Sequence, residues 1–170
     1  MDFHLRQATP EDAETVVFMQ TQAHEECYPH LLSPEFFRRR RASIPERVER
    51  RRAFLAVKDP RILAFDAGNQ LVGYADAGPG REEDAPEALE LYSIYTLRRT
   101  YGTGLGAALV DAAVGSGPAY LWVLENNPRA LAFYLKQGFR PDGRRNTLPP
   151  EWDALPEFRL VRRAKEATGR

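Results

Sequence analysis

The 170-residue sequence predicts an α/β fold, and three observations carry that prediction. Short runs that alternate apolar and polar residues, or concentrate aromatic and β-branched ones, recur along the chain. Longer runs with helical spacing lie between them, several headed by helix-start residues. No repeat, low-complexity tract or obvious linker interrupts the order, so residues 1–170 are read as a single domain, long enough to bury a core without staples.

Each element has its own local reason. "FHLRQA" alternates and predicts a short first strand. "TPEDAETVVFMQTQAHEE" begins a helix, with Thr9 as N-cap, Pro10 at the first helical position, and Glu11 and Asp12 in the first turn. "SPEFFRRRR", capped by Ser33, opens a second helix, and "PERVERRRAFL" a third. "RILAFDAGNQLVGYADAG" is a hairpin around the turn-forming "AGNQ". "GPGREEDAPEA" is a polar loop, and "LELYSIYTL" a strand. On that strand alternation puts Glu90, Tyr92, Ile94 and Thr96 on one face, and Leu91, Ser93, Tyr95 and Leu97 on the other. A helix follows with Leu105, Ala108, Leu109 and Ala112 on one stripe. "AYLWVLE" is a buried-type strand, "NPRALAFYLKQ" a helix stopped by Gly138, and "FRPDG" and "EFRLVRR" strands flanking the loop "RRNTLPPEWDALP".

Composition narrows the function. Basic and acidic residues balance at 24 each, so no net field draws the chain to nucleic acid or anionic membrane. No apolar run reaches the ~20 residues of a membrane span, the N-terminus is no signal peptide, and the single cysteine suits a reducing cytoplasm. Cys27 is read as a small packing residue, with a catalytic thiol as the sharper alternative. His4, His24 and His30 lack metal-ligand spacing and are read as surface or packing residues, so no metal is expected. Arg38 to Arg41 with Arg47 and Arg50 to Arg52 form the densest basic run. It is read as a solvated helix face with Glu46 and Glu49 interleaved; the alternative is a seat for an acidic acceptor or nucleic acid.

The most informative stretch is "RRTYGTGLGAALVDAA", with Gly102, Gly104 and Gly106 directly before a helix. Unpaired amides at a helix start, with the positive end of the helix dipole behind them, hold phosphate, and glycine lets the anion approach. A nucleotide P-loop fails, because Ala107 and Ala108 follow Gly106 where lysine and a hydroxyl are required. A dinucleotide fingerprint fits Gly102, Gly104 and Ala107, with Glu125 closing the next strand. It starts too far from the strand end and too late in the chain for the remaining parallel strands.

A third class, acyl-coenzyme A, enters through a resemblance. "LELYSIYTLRRTYGTGLGAALVDAA…AYLWVLENNPRALAFYLKQGF" resembles the core of the GNAT superfamily of acyl-CoA-dependent N-acetyltransferases. The downstream motif N-x-x-A-x-x-F-Y-x-x-x-G-F is present as Asn127, Ala130, Phe133, Tyr134, Gly138 and Phe139. The upstream [QR]-x-x-G-x-[GA] is met by Gly104 and Gly106, with Tyr101 in place of the leading glutamine or arginine. The likeness runs from about Leu89 to Phe139; before that only the order of elements matches.

The resemblance implies a mixed, mostly antiparallel twisted sheet of about six to seven strands flanked by helices, with two central strands splayed apart. It implies acetyl-CoA as cosubstrate and no metal. The pantetheine arm would lie along the main chain of Ile94, Tyr95 and Thr96, the pyrophosphate on the amides of Tyr101, Gly102, Thr103, Gly104, Leu105 and Gly106. Asn127 would touch the pantetheine, Tyr134 would protonate the leaving thiolate, and Glu90, six residues before Thr96, would be the base. A solvent-facing strand-entry glutamate is the other reading of Glu90, and core packing that of Tyr134. Trp122 occupies another family base position and cannot serve. Tyr28, Trp152 and the late loop are candidates to line the acceptor pocket; covering the edges of the core is the other reading of these aromatics. The expected activity is direct acetyl transfer to a small-molecule or peptide amine, with a homodimer possible; a non-catalytic acyl-CoA-binding module is the alternative.

Overall fold

The computed structural model describes residues 2–164. Phe3–Gln7 forms β1. Thr9 opens a short 3-10 turn, Pro10–Asp12, which leads into α1, Ala13–Cys27. Asp12 accepts the Thr9 amide at 2.8 Å and pairs with Arg6 at 2.6 Å, so this acid ties the helix start to β1. α2 spans Pro34–Ala42, with Ser33 Oγ accepting the Phe36 amide at 3.1 Å, and α3 spans Ile44–Leu55. β2 (Arg61–Asp66) and β3 (Leu71–Pro79) make the expected hairpin, its turn held by Asp66 Oδ1 accepting the amides of Gly68 and Gln70.

The second half supplies β4 (Leu89–Thr96), α4 (Leu105–Val114), β5 (Ala119–Leu124), α5 (Pro128–Lys136), β6 (Arg140–Thr147) and β7 (Pro156–Arg162). All seven strands join one mixed sheet in the order β1-β2-β3-β4-β5-β7-β6. β4 and β5 are its one parallel pair. One face packs on α4 and α5 through Leu105, Leu109, Leu121, Phe139 and Leu160; the other packs on α1 and α3 through Val16, Met19, Leu55, Leu63 and Tyr74. Truncating a fully buried leucine such as Leu109 costs about 2–5 kcal/mol.

Two local expectations are corrected. β6 continues through Arg144–Thr147, which reads as loop because all eight strand residues are exposed and show no alternation. Gly143, at φ 89°, lies where the β6–β7 register shifts between Pro141 and Arg145. The second correction concerns β4. Asp76 of β3 faces Ser93, yet its neighbour Ala77 faces Leu91, so Tyr92 is an extra residue and the strand bulges there. Leu89 and Leu91 pack toward α4 and α5 before the bulge and Ile94 after it, while Ser93 donates to Asp76 and Tyr95 packs toward α1. The face expected to run Glu90, Tyr92, Ile94, Thr96 is therefore broken at Tyr92.

Candidate active site

The sheet parts at its centre. β4 and β5 share a single paired position, Glu90 with Tyr120. Beyond it β5 is bonded to β7 along Ala119–Leu124, and β4 only to β3. One edge of β4 over Ile94, Tyr95 and Thr96 is thus without a strand partner, leaving main-chain donors and acceptors for an extended ligand.

The glycine turn follows β4 through a 3-10 turn at Arg98–Thr100. Gly102 (φ 77°) and Gly104 (φ 90°) lie in the left-handed region, and a Cβ built on either meets nothing within 4 Å. Gly104 is the N-cap of α4, and the amides of Gly102, Gly104, Leu105 and Gly106 make no hydrogen bond among the described residues. Two expected donors are already engaged: the Tyr101 amide bonds Arg98 at 3.1 Å and that of Thr103 bonds Thr100 at 3.3 Å. Gly106 is glycine for a different reason, since a Cβ there would stand 3.1 Å from the Phe133 ring of α5. The unengaged amides and the cradle that needs no Cβ fit a pyrophosphate.

Around this turn Tyr101 Oη lies 3.0 Å from Cys27 Sγ, and the Arg129 guanidinium sits 3.3 Å from the Tyr101 ring centre. Cys27 thereby links the end of α1 to the turn. Asn127 caps α5, its Oδ1 accepting the Ala130 amide at 3.2 Å, which leaves its side-chain NH2 unengaged among the described residues. Tyr134 packs between Phe133 and Phe139, with ring centres 5.2 and 6.1 Å away. Burial is the main cause that pushes its phenol well above the usual tyrosine range, so it keeps its proton at neutral pH.

Glu90 does not face solvent. It is 2% exposed, and its carboxylate accepts the Arg81 amide at 3.0 Å, Arg81 Nη2 at 2.6 Å and Tyr120 Oη at 2.9 Å. These bonds fasten the loop after β3 to the point where β4 and β5 part. Trp122, two residues along β5, donates to Glu82 at 3.2 Å.

At the opposite end of the parted strands an aromatic group gathers. Tyr28 and Phe36 share a cluster with Leu124, Tyr95 and Trp152, so the α1–α2 turn, β4, β5 and the β6–β7 loop converge there. The late loop is fixed by Asp153, which accepts the Ser33 amide at 2.8 Å, and Asp153 and Ala154 are consecutive non-glycine residues at φ 53° and 51°. Tyr28 and Trp152, the candidates from the sequence, stand here around His24, which sequence reasoning placed only as a surface or packing residue. His24 is 1% exposed, with its ring 4.7 Å from that of Tyr95 and 5.4 Å from that of Trp152, and neither ring nitrogen has a partner among the described residues. Burial and the charges of Arg40 and Arg47 hold its pKa well below the usual histidine value.

The basic run also departs from the solvated face expected of it. Arg38, Arg39, Arg41 and Arg52 are exposed or paired with nearby acids, whereas Arg40, Arg47 and Arg51 turn inward. Spacing signals part of this, because Arg47 and Arg51 are four apart and share one side of α3, whereas Arg40 lies on α2 across a helix break.

A mixed sheet parted at its one parallel pair, beside an amide-lined turn at a helix start, defines an α/β fold of the acetyltransferase kind. The chain belongs to the acetyltransferase (GNAT) family, whose model matches residues 19–139. It is 31% identical over 88 residues to a probable N-acetyltransferase of Mycobacterium tuberculosis, covering 50% of this chain and 49% of that one. It is 36% identical over 95 residues to an uncharacterized N-acetyltransferase of Mycobacterium bovis, covering 51% and 58%. The chain spans about half the length of these curated relatives. Among solved structures, the PaiA N-acetyltransferase of Thermoplasma acidophilum in complex with coenzyme A superposes with TM-score 0.67 at 19% identity, over 96% of this chain and 99% of that one. NAA60 of Arabidopsis thaliana in complex with acetyl-CoA gives 0.60 at 18% identity, over 94% and 98%. At those identities the likeness is one of fold. Among the described residues no group of three or more metal-ligating side chains assembles, and no helix is long and apolar enough to cross a membrane.

Proposed function

We propose that this chain transfers an acetyl group from acetyl-CoA to a primary amine, directly, within a complex that holds both substrates. The observation that carries the reading is the row of unengaged amides at Gly102, Gly104, Leu105 and Gly106, lying next to the unpartnered edge of β4. Acetyl-CoA has the matching parts: a pyrophosphate for the amides, and a pantetheine arm with amide groups for the strand edge. Main-chain donors of Ile94, Tyr95 and Thr96 and the side-chain NH2 of Asn127 would fix that arm.

When bound, the thioester supplies the activated acyl carbon. The protein must then meet the oxyanion, protonate the thiolate and receive a proton from the amine. A main-chain amide of the open β4 edge is suited to the oxyanion. Tyr134, kept protonated by its burial, is suited to give the thiolate its proton. Glu90 is the candidate base, and to act it must loosen its contacts with Arg81 and Tyr120. Related proteins named as N-acetyltransferases, and folds solved with CoA or acetyl-CoA, support the same reading. The acetyl donor is tested by thermal shift against CoA, acetyl-CoA and NAD. Stabilisation by the first two alone supports the reading, and stabilisation by NAD alone removes it.

A further inference from the structure

Buried positive charge beside the aromatic group points to the chemistry of the amine acceptor, an inference that rests on the acetyl-transfer reading. Arg47 is 5% exposed, yet it has only neutral partners: Thr21 Oγ1 at 2.8 Å, the Arg40 carbonyl at 3.0 Å and Gln20 Oε1 at 2.7 Å. Arg40 reaches the same Gln20 oxygen at 3.3 Å, and its Nε is buried with no partner. The next arginine inward, Arg51, differs in having a carboxylate, Asp76 at 2.7 Å from its Nη1. Neither Arg40 nor Arg47 has a carboxylate partner among the described residues. Burying Arg47 and half-burying Arg40 around one neutral oxygen is costly unless an anion completes the arrangement.

The geometry restricts that anion. On Arg40 Nε is buried without an acceptor among the described residues, and Nη2 has only the Gln20 oxygen that it shares with Arg47, so the guanidinium keeps donors to spare for a carboxylate. The guanidinium carbon stands 5.3 Å from the Trp152 ring centre and 5.9 Å from that of Phe36, so apolar rings lie beside the charge. His24, whose ring nitrogens are both unpartnered, approaches the same Trp152 ring, and Tyr95 connects this group to the open strand β4. Arg40 therefore borders the aromatic group that packs against the open strand β4.

We propose that the acceptor is an amine that carries a carboxylate on an apolar body, the carboxylate docking on the guanidinium of Arg40 with Arg47 behind it. Amino acids and their close analogues have this chemistry. Polyamines, aminoglycosides and lysine side chains of proteins lack the carboxylate and bring further positive charge against two arginines, which disfavours them.

The test uses the full chain with acetyl-CoA and follows CoA release by a thiol reagent over matched pairs: phenylalanine against phenethylamine, and leucine against isopentylamine. The wild type should prefer the acid by tenfold to a hundredfold in kcat/KM, mostly through KM, the scale of one charge-assisted bidentate contact. Arg40→Gln should bring the ratio close to one, and Arg40→Lys should fall between. Equal or better use of the decarboxylated amines by the wild type overturns the proposal, as does an unchanged ratio in a folded Arg40→Gln. A second readout needs no turnover. The chain has two tryptophans, so Trp122→Phe leaves Trp152 as the sole indole reporter. Phenylacetate should change its fluorescence saturably, and Arg40→Gln should abolish that change; a non-saturable response in the parent overturns the proposal. Failure of acetyl-CoA to stabilise the protein would sink the acetyl-transfer reading instead, and is measured separately.

Discussion

Placing a single methyl on Gly104 separates the fold from cofactor binding. Gly104 has φ 90° and caps α4, and a Cβ there meets no protein atom within 4 Å. Gly104→Ala thus introduces no clash in the free protein, only left-handed strain of roughly 1–2 kcal/mol. In the complex that methyl would occupy the approach to the free amides. Acetyl-CoA at a hundred times its wild-type Kd stabilises the folded state by about 2.7 kcal/mol, a rise of roughly 5–10 °C in Tm for a domain of this size. In Gly104→Ala, Tm without ligand should fall by about 3–6 °C, and the ligand-dependent rise should nearly vanish. Gly106→Ala should differ, because its methyl strikes Phe133 at 3.1 Å, inside the protein, and should cost stability through α4–α5 packing. Differential scanning fluorimetry with and without acetyl-CoA reads all these quantities. A folded Gly104→Ala that keeps the full ligand-dependent rise would refute the placement of the pyrophosphate.

Other expectations follow from the same geometry. Tyr134→Phe should lower kcat by roughly tenfold to a hundredfold with little change in acetyl-CoA affinity, checked by steady-state kinetics and calorimetry. If Glu90 is the base, Glu90→Gln removes the acidic limb of the pH–rate profile; persistence of that limb reduces Glu90 to the clasp that its Arg81 and Tyr120 contacts describe. His24 sits neutral in the fold but takes a proton once unfolded, so the unfolded state binds more protons as pH falls below about 6.5. Stability should therefore decline below that pH by up to about 1.4 kcal/mol per unit, and His24→Phe should flatten the decline in urea titrations at successive pH values. Ala154→Gly should gain up to about 1 kcal/mol by relieving its left-handed φ of 51°.

Much of this architecture was legible in the chain because local chemistry and tertiary structure agree there. Ser33 caps α2, Asp66 folds the hairpin turn and Gly138 ends α5 at φ 88°, each through a contact confined to a few neighbouring residues. The glycine turn was legible for the same reason, though its three glycines have unequal duties, and only Phe133, far along the chain, reveals why Gly106 has no side chain. Where two distant segments decide the outcome, alternation and composition mislead. The bulge at Tyr92 depends on register with β3, and the all-exposed β6 gives no periodic signal. Arg40 and Arg47 look like surface charge until α1 supplies Gln20 and Thr21 to receive them. Glu90 was found by its position, but its burial under Arg81 depends on the path of a loop that sequence describes only as polar.

The amide resonances of the turn offer the most direct test of the account. In a 15N-labelled sample titrated with CoA, the amides of Gly102, Gly104, Leu105 and Gly106 should show the largest downfield proton shifts, as donors that gain an anionic acceptor. Those of Tyr101 and Thr103, already bonded to Arg98 and Thr100, should move less. Saturable binding with these four amides unmoved, or largest shifts far from the start of α4, would contradict it.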